Sequence, residues 1–290
     1  MDEPSSIDLV VPTVGRTAEL ERFLASVAEQ TWRGPLRVLV VDQNEDDRLA
    51  PVVAAFEGRL DLEHLRSPRG LSRACNAGFA RATADVVGRP DDDCWYAPDT
   101  VERVLRAFAE HPDWDALSGT SCDDEGRPTQ LRWDSEGGLV TPRNLWRRAI
   151  GFTFFIRGRA IGTVGEWDES YSTRLGPDGE LIAGGGQDGE YILRALSRGL
   201  TVGYEPSIRI GHPDFHPRLG DDAAARKAYV YGRDHTRLLT QYRFPRRYAA
   251  WRAAQLAAGS AYFLMRGEPG RARFYGAMSR GRFRGLFAKR

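Results

Sequence analysis

Three consecutive aspartates, Asp91, Asp92 and Asp93, are the residues of this sequence whose types and spacing best suit chemistry. Adjacent carboxylates repel one another and raise each other's pKa, so such a row needs a partner of opposite charge. A hard divalent cation such as Mg²⁺ or Mn²⁺ prefers carboxylate oxygens as ligands and is one such partner. The alternatives without a ligand are a solvated acidic turn and a helix N-cap, because the positive end of the helix dipole attracts carboxylates. The cap suits Asp99 better, since Pro98 and Asp99 begin a helical pattern of their own.

The segments that must position this acidic row alternate between predicted strands and predicted helices. Short apolar runs predict four strands, at residues 7–12, 36–42, 60–65 and 84–88. Helical spacing of apolar residues predicts four helices, one beginning after Thr17 and the others at 48–56, 70–82 and 98–109. This alternation is typical of an α/β fold with a mostly parallel sheet and right-handed crossovers. The aspartates then follow the fourth strand, at the edge of the sheet where ligands bind in open α/β folds. No GxGxxG motif follows the first strand, so a dinucleotide site of that kind is excluded.

The second half of the chain is less regular. Residues 118–145 are polar and predict a loop excursion, residues 152–157 predict a strand, and residues 162–186 predict a further loop. Three glycines then lead into a helix with Asp188 and Glu190 in its first turn, and Gly199 is expected to end it. Residues 201–204 and 208–212 predict two short strands, the second ending at His212, and a helical pattern follows from residue 223.

Composition limits the class of protein. With 290 residues, 41% of them hydrophobic and 28% charged, the chain can build one large or two small globular domains. The three cysteines, Cys75, Cys94 and Cys122, show neither CxxC nor metal-site spacing, which favours a reducing compartment. Neither a signal sequence nor an apolar run of about 18 residues is evident, so we expect a cytoplasmic protein.

Charge is unevenly distributed along the chain. Residues 223–290 hold 16 Lys or Arg and two acids, a net charge of +14, whereas residues 1–222 carry −13. A basic segment of this kind suggests contact with an anionic surface. The alternatives are a solvated helical appendage and a peripheral membrane anchor at the inner face of the cell membrane, where Arg and Lys flank aromatic residues. Nucleic acid is not expected as a partner, because the remainder is acidic and contains no recognised nucleic-acid module.

Six stretches in order carry a family resemblance: IDLVVPTVGR, LRVLVVDQN, GLSRACNAGFARATADVV, PDDDCWYAPD, GGGQDGEYILRALSRG and IRIGH, between residues 7 and 212. Together they resemble the inverting family 2 glycosyltransferases of the GT-A fold, in particular the bacterial members. The resemblance implies a Rossmann-like, mostly parallel central sheet flanked by helices in residues 1–222, with residues 223–290 as a basic helical extension. It implies metal-dependent transfer of a sugar from a nucleotide-diphosphate sugar to a hydroxyl acceptor, with Mn²⁺ or Mg²⁺ as cofactor. The expected setting is cell-surface polysaccharide, glycolipid or glycoconjugate biosynthesis, with a saccharide or lipid-linked acceptor.

The resemblance also implies roles for individual residues. The DxD motif of the family corresponds to Asp91 and Asp93, which would serve the donor and the metal, and His212 would be a further metal ligand. Asp188 corresponds to the catalytic base, and Gln187 replaces the acid that usually precedes it. A single base opposite the leaving group implies inversion without a covalent intermediate. The implied nucleotide contacts are Pro12, Thr13, Arg16, Asp42, Arg73, Asn76, Asp91 and Asp92. The implied acceptor side comprises Trp95, Tyr96, Trp167 and Asp168.

Each assignment has a structural alternative. A lone histidine is more often packed than metal-bound, Asp188 could be only a first-turn helix charge, and the aromatic residues could belong to the core. The chain departs from the family at Cys75, where many relatives have a basic residue, and at Arg89, where an aromatic or aliphatic residue is usual. Two other functions stay open from sequence: a sugar nucleotidyltransferase, for which VPTVGR is a poor phosphate loop, and a non-catalytic nucleotide-sugar-binding scaffold, which Gln187 favours.

Overall fold

The computed structural model describes residues 3–172, 174–175, 181–214 and 222–287, with residues 174 and 175 described by their backbone alone. The chain divides into two compact units. The first comprises Met1–Trp167 and Tyr191–Asp214, and the second comprises Asp168–Glu190 and Phe215–Arg290. The predicted domain boundary between residues 222 and 223 therefore differs from the boundaries of these two units, because residues 168–190 group with the C-terminal helices.

The strands, in chain order, are β1 (Ile7–Thr13), β2 (Leu36–Asp42), β3 (Asp61–Arg66), β4 (Val86–Gly88), β5 (Trp95–Tyr96), β6 (Ala116–Cys122), β7 (Gly138–Leu139), β8 (Phe154–Arg157), β9 (Arg174–Leu175), β10 (Leu181–Ala183) and β11 (Val202–Gly211). The helices are α1 (Ala18–Ala28), α2 (Ala50–Ala54), α3 (Leu71–Phe79), α4 (Thr100–Glu110), α5 (Leu145–Arg148), α6 (Gly158–Val164), α7 (Gln187–Ser197), α8 (Asp222–Gln241), α9 (Arg246–Met265) and α10 (Pro269–Gly285).

The first unit is built on one sheet in the order β3-β2-β1-β4-β8-β6-β11-β5, with β7 paired to β11. The neighbours β3, β2, β1 and β4 run parallel, as do β6 and β11, whereas β8 runs antiparallel to β4 and β6. The predicted mostly parallel α/β fold is confirmed. It forms because β1 and β2 consist mainly of β-branched and aliphatic residues and are buried over most of their length, which suits a parallel sheet covered on both faces.

Helices α1, α3 and α4 cover this sheet. In α1 the buried residues Leu20, Phe23, Leu24 and Val27 follow the helical spacing read from the sequence. In α3 a Cβ at Gly78 would come 2.3 Å from a methyl carbon of Val10, so glycine lets the helix approach β1 closely.

Two sequence predictions about strands are wrong. Residues 118–122 belong to β6 and not to a loop, because the segment ALSGTSC is buried between β8 and β11 although it lacks β-branched alternation. Polar side chains of β6 form hydrogen bonds with neighbouring segments; for example, Ser118 Oγ lies 2.8 Å from Thr153 Oγ1. Residues 202–211 form one strand where two were predicted, with an irregular register against β6 between Tyr204 and Arg209.

The second unit holds the two-stranded β9–β10 sheet and helices α8, α9 and α10. The helical prediction for the basic tail is confirmed over residues 222–285. Glycines bring α8 and α10 together: a Cβ at Gly232 would lie 2.2 Å from the Met278 carbonyl oxygen, and one at Gly281 would lie 2.0 Å from that of Tyr229. Within the described part of the chain, no helix combines the length and apolarity needed to cross a bilayer. Part of the predicted loop at 162–186 lies outside the described residues.

Candidate functional site

The acidic row lies in the loop between β4 and β5, at the carboxyl end of β4. Strand β5 pairs antiparallel with the end of β11, with Gly211 opposite Trp95. This register places His212, the residue after β11, beside the loop that holds Asp93. A hydrogen bond from the His212 backbone N–H to the Cys122 carbonyl oxygen, at 2.9 Å, fixes the histidine at that edge. The sheet therefore brings together residues that are far apart in the sequence.

Asp91, Asp93 and His212 form a group whose ligand atoms all lie within 4.8 Å of one another. The Nε2 atom of His212 lies 3.4 Å from Asp93 Oδ1 and 4.0 Å from Asp91 Oδ2. On the other side of the ring, Nδ1 lies 2.7 Å from the Pro213 carbonyl oxygen and can donate its proton there. A proton on Nδ1 leaves the Nε2 lone pair facing the carboxylates, which is the usual arrangement of a metal-binding histidine. The amide Nε2 of Gln130 also lies 3.2 Å from Nδ1, so the cation site rests on the distances from Nε2 to the carboxylates and not on the tautomer. The Phe152 ring stacks on the imidazole at 4.4 Å and holds its plane.

The donor set fits a divalent cation. Two carboxylate oxygens and one imidazole nitrogen suit Mn²⁺, and the same oxygens suit Mg²⁺. Asp93 Oδ1 is buried, and among the described residues no hydrogen-bond donor satisfies it. A buried carboxylate oxygen without a donor is costly, and a cation at this position would remove that cost.

Two arginines balance the acidic row. Arg16 NH1 lies 2.6 Å from Asp92 Oδ1 and 2.6 Å from Asp93 Oδ2, and it is half-exposed. Arg89 is buried and its NH1 donates to Asp91 Oδ1 at 2.8 Å. Burial raises the pKa of Asp92 to about 6, against the attraction of Arg16. Asp92 contacts Arg16 and does not belong to the group of candidate metal ligands.

The predicted nucleotide contacts around β1 and β2 lie in two environments. Pro12 and Thr13 are buried at the end of β1, and Arg16 follows in the next loop. Asp42 is buried at the end of β2, where its oxygens accept from the Asn44 backbone N–H at 2.8 Å and lie 3.0 Å from His64 Nε2 and 3.1 Å from Arg66 NH1. A contact between Asp42 and a nucleotide remains a prediction, and it would have to compete with these partners.

The predicted contacts on α3 also differ from one another. Arg73 is exposed. The side chain of Asn76 bridges the backbone of Trp167, donating to its carbonyl oxygen at 3.1 Å and accepting from its N–H at 2.7 Å. Cys75, where relatives often have a basic residue, is buried. Arg73 is thus the α3 residue with a side chain open to solvent, and the role of both polar residues toward a nucleotide stays a prediction.

The predicted acceptor residues are largely engaged in packing. The Arg22 guanidinium lies 3.6 Å from the ring centroid of Trp95 and is held by Asp124 at 2.5 Å. Trp167 is buried and stacks on Tyr191 with ring centroids 4.1 Å apart. Tyr96 is buried in the core. A sugar contact for these residues remains a prediction.

Asp188 and Asp168 belong to the second unit and are described within it. Asp188 lies in the first turn of α7, directly after Gln187. The glycines before it are required by the backbone, because Gly184 and Gly186 have φ of 138° and 107°, where other residues are strained. Asp168 accepts from the Ser170 N–H at 2.8 Å and caps a short 3₁₀ turn. The base and acceptor roles of these two aspartates remain predictions.

Several residues of this site were not found from sequence. Arg89 was noted only as a departure from the family, although a buried cation two residues before Asp91 could have suggested a partner for it. His64 and Arg66, which surround Asp42, lie on β3, and their alternate spacing places both on one face of that strand. Gln130, whose amide Nε2 donates to the Pro213 carbonyl oxygen at 3.0 Å, carried no sequence signal because it lies in an irregular loop.

The relatives of this chain include proteins named as glycosyltransferases. The family model described as "Glycosyl transferase family 2" matches residues 8–163. A glucosyl-dolichyl phosphate glucuronosyltransferase of Haloferax volcanii is 26% identical over 239 residues, which cover 77% of this chain and 75% of that protein. The succinoglycan biosynthesis protein ExoM of Rhizobium meliloti is 25% identical over 271 residues, which cover 90% of this chain and 84% of that protein.

Solved structures share the fold at low sequence identity. A mannosyltransferase of Pyrobaculum calidifontis, solved in complex with GDP-Man and Mn²⁺, aligns with a TM-score of 0.62 and 17% identity over 99% of this chain and 88% of that chain. The S. aureus TarS structure aligns with a TM-score of 0.61 and 14% identity over 95% of this chain, but this covers only 54% of that longer chain. Because the family model covers more than half of the 290 residues and the neighbours have the expected GT-A fold, this chain is a glycosyltransferase that belongs to glycosyl transferase family 2.

Proposed function

We propose that this protein is a metal-dependent, inverting glycosyltransferase that moves a sugar from a nucleotide-diphosphate sugar to a hydroxyl acceptor. The observation that carries the proposal is the convergence of Asp91, Asp93 and His212 at the carboxyl edge of the sheet. A GT-A neighbour whose complex contains GDP-Man and Mn²⁺ supports both the donor class and the cation. The family assignment sets aside the nucleotidyltransferase and the non-catalytic scaffold that the sequence left open.

The residues proposed to bind the donor lie in the first unit. Asp91, Asp93 and His212 would hold the cation. A bound Mn²⁺ or Mg²⁺ would neutralise the negative charge that grows on the leaving diphosphate as the glycosidic bond breaks. Arg16 is half-exposed beside the same carboxylates, and its guanidinium can bind phosphate oxygens. Arg89 holds Asp91 Oδ1, so that the other oxygen, Oδ2, faces His212.

We assign proton transfer to Asp188. Its carboxylate would accept the proton of the acceptor hydroxyl as that oxygen attacks the anomeric carbon. Attack from the face opposite the diphosphate inverts the anomeric configuration in one step. Gln187 cannot act as a second acid, so a single base is the arrangement this sequence allows at that position.

The proposed setting is cell-surface polysaccharide or glycolipid biosynthesis, acting on a saccharide or lipid-linked acceptor. One relative is named for succinoglycan biosynthesis and another for a dolichyl phosphate-linked substrate, which supports an acceptor of either kind. We place this activity in the cytoplasm, at the inner face of the cell membrane. We retain residues 1–222 as the glycosyltransferase domain and residues 223–290 as its basic extension.

The test begins with the donor. A thermal-shift screen of UDP, GDP, dTDP and their sugars, each with Mn²⁺, Mg²⁺ or a chelator, identifies the stabilising pair, because ligand binding to the folded state raises stability. Transfer or hydrolysis of that donor is then measured, and the anomeric configuration of the product is read by NMR. Metal-independent activity, or a retained configuration, would contradict the proposal.

The base assignment needs a matched pair of variants. Asp188→Asn should lower the transfer rate by about 10²–10⁴-fold while the affinity for the nucleotide sugar stays unchanged. Glu102→Gln makes the same change in charge at an exposed acid in the first turn of α4 and should leave the rate unaltered. If both variants keep full activity, Asp188 is only a first-turn helix charge.

A further inference from the structure

Helix α9 has an unusual distribution of apolar residues. Of its 20 residues, only Ala249 and Ala253 are buried. The remaining residues are nevertheless mostly alanines, aromatics and aliphatics, with no charged residue between Arg252 and Arg266. A helix that is apolar on all sides is normally covered on all sides. Within the second unit, α9 packs against α10 and more sparsely against α8, which accounts for one of its faces.

The uncovered face is continuous. With 100° per residue, the residues opposite Ala249 and Ala253 form one stripe with spacings of three and four. The stripe consists of Trp251, Ala254, Ala258, Ala261, Tyr262 and Met265, all exposed. The exposed fractions of its large side chains are 53% for Trp251, 50% for Tyr262 and 80% for Met265, and the adjoining Leu264 is 65% exposed. At 1.5 Å per residue the stripe is about 21 Å long.

Arginines stand at both ends of this stripe. Arg243, Arg246 and Arg247 precede it, and Arg266 follows it directly. The nearby acid, Glu268, is already engaged by Arg271 at 2.9 Å and by Arg266 at 3.7 Å. Arg246 also donates to the Leu286 carbonyl oxygen at 2.9 Å, which sets the 75% exposed Phe287 beside the beginning of α9.

The arginines at both ends of the stripe indicate which partner covers the exposed face of α9. A second copy of the chain would place one set of arginines against another in a segment of net charge +14, and like charges disfavour that contact. An anionic lipid surface matches both features, because acyl chains accept the apolar stripe and headgroups attract the flanking guanidinium groups. The exposed apolar surface lies on one side of α9 because α10 covers the other side, as expected for a helix that lies on a bilayer.

We propose that the outer face of α9 is the surface by which this protein lies on an anionic lipid bilayer. The inference deepens the proposed site of action at the membrane but does not depend on the catalytic assignments. The helix axis runs in the plane of the interface, with Trp251, Tyr262 and Met265 inserted at the level of the headgroups and upper acyl chains.

The test uses the full chain and vesicles of phosphatidylcholine with phosphatidylglycerol, compared with phosphatidylcholine alone. The triple variant Trp251→Gln, Tyr262→Gln, Met265→Gln removes the apolar stripe without changing charge. We expect its partition onto anionic vesicles to fall at least about tenfold, since each large apolar side chain contributes to transfer. Leu139→Gln is the matched control, because Leu139 is 50% exposed in the first unit. Its partition should equal that of the wild type, and far-UV circular dichroism should show both variants folded.

Three outcomes separate the possibilities. If the wild type does not bind anionic vesicles, both the membrane contact and this inference fail, while glycosyl transfer to a soluble acceptor is measured independently. If the wild type binds and the triple variant binds equally, membrane contact stands and the α9 face is overturned. If light scattering shows that the wild type is a dimer without lipid and that the triple variant is a monomer, a second copy of the chain covers the α9 face, and the inference is also overturned.

Discussion

Replacing Asp93 by Asn gives the sharpest check on the cation site, because it separates the stability of the fold from the binding of metal. Asp93 Oδ1 is buried and, within the described part of the chain, accepts no hydrogen bond, while Oδ2 pairs with Arg16 at 2.6 Å. Asparagine keeps the shape and an oxygen that can accept from Arg16. It removes the charge that a cation would use, and it also reduces repulsion among the three carboxylates. The metal-free variant should therefore melt within about 2 °C of the wild type, because the half-exposed Arg16 keeps an acceptor and access to water while the repulsion among the carboxylates falls.

The expected metal effect can be estimated. At a ligand concentration of 100 times Kd, binding stabilises the folded state by about 2.7 kcal/mol. Unfolding entropy is about 2.1 cal/mol/K per residue, hence about 0.6 kcal/mol/K for 290 residues. The Mn²⁺-dependent rise in melting temperature should thus be about 4 °C for the wild type, with the nucleoside diphosphate held constant. In Asp93→Asn we expect this rise to vanish at the same concentration of Mn²⁺.

The assay is a thermal shift in Mn²⁺ against chelator, repeated by titration calorimetry. The control is Asp99→Asn, which makes the same substitution six residues later, where the carboxylate pairs with Arg103 at 2.7 Å outside the ligand group. It should keep the full metal-dependent rise. A normal rise in Asp93→Asn would refute the assignment of Asp93 as a ligand, and a large loss of metal-free stability would refute the argument that its Oδ1 is uncompensated.

Other predictions concern the base, the second ligand and pH. Asp188→Asn should lower the transfer rate by about 10²–10⁴-fold with donor affinity retained, as measured by steady-state kinetics and calorimetry. Asp91→Asn, unlike the change at Asp93, should destabilise the metal-free protein by about 1.5–3 kcal/mol in urea unfolding, because buried Arg89 loses a charged acceptor; equal stability of the two variants would contradict this. Burial, reinforced by two neighbouring arginines, lowers the pKa of His235 well below its usual value. As pH falls through about 6.5, the unfolded chain takes up a proton at His235 and the folded chain does not. The free energy of unfolding therefore has its full contribution from the neutral His235 above about pH 6.5. It should decrease by up to about 1.4 kcal/mol per pH unit below it. His235→Gln should flatten the urea-unfolding profile between pH 7 and 5, and an unchanged profile would rule out His235 as its source.

Most strands and helices of the first 110 residues could be predicted because their signals are local, whereas the two-residue strand β5 was missed. Continuous apolar runs specify β1 and β2, and the spacing of Leu20, Phe23, Leu24 and Val27 specifies α1. Strand β6 could not be predicted in this way. Its serines, threonine and glycine have no strand pattern, and the segment is a strand because β8 and β11 supply hydrogen bonds on both sides.

The sequence alone determined the chemical types at the site and their place after the fourth strand: the acidic row, the glycines before Asp188 and the basic composition of the C-terminal segment. Tertiary structure decided which of these groups meet. The pairing of β5 with β11 sets His212 beside Asp93, and the fold turns Arg16 onto Asp92 and Asp93, contacts that no local spacing encodes. It also decided that α10 covers one face of α9 and leaves the face of Trp251 open. The physical reason is the same in each case: side-chain type fixes what a residue can bind, whereas burial and long-range pairing fix which partner it has.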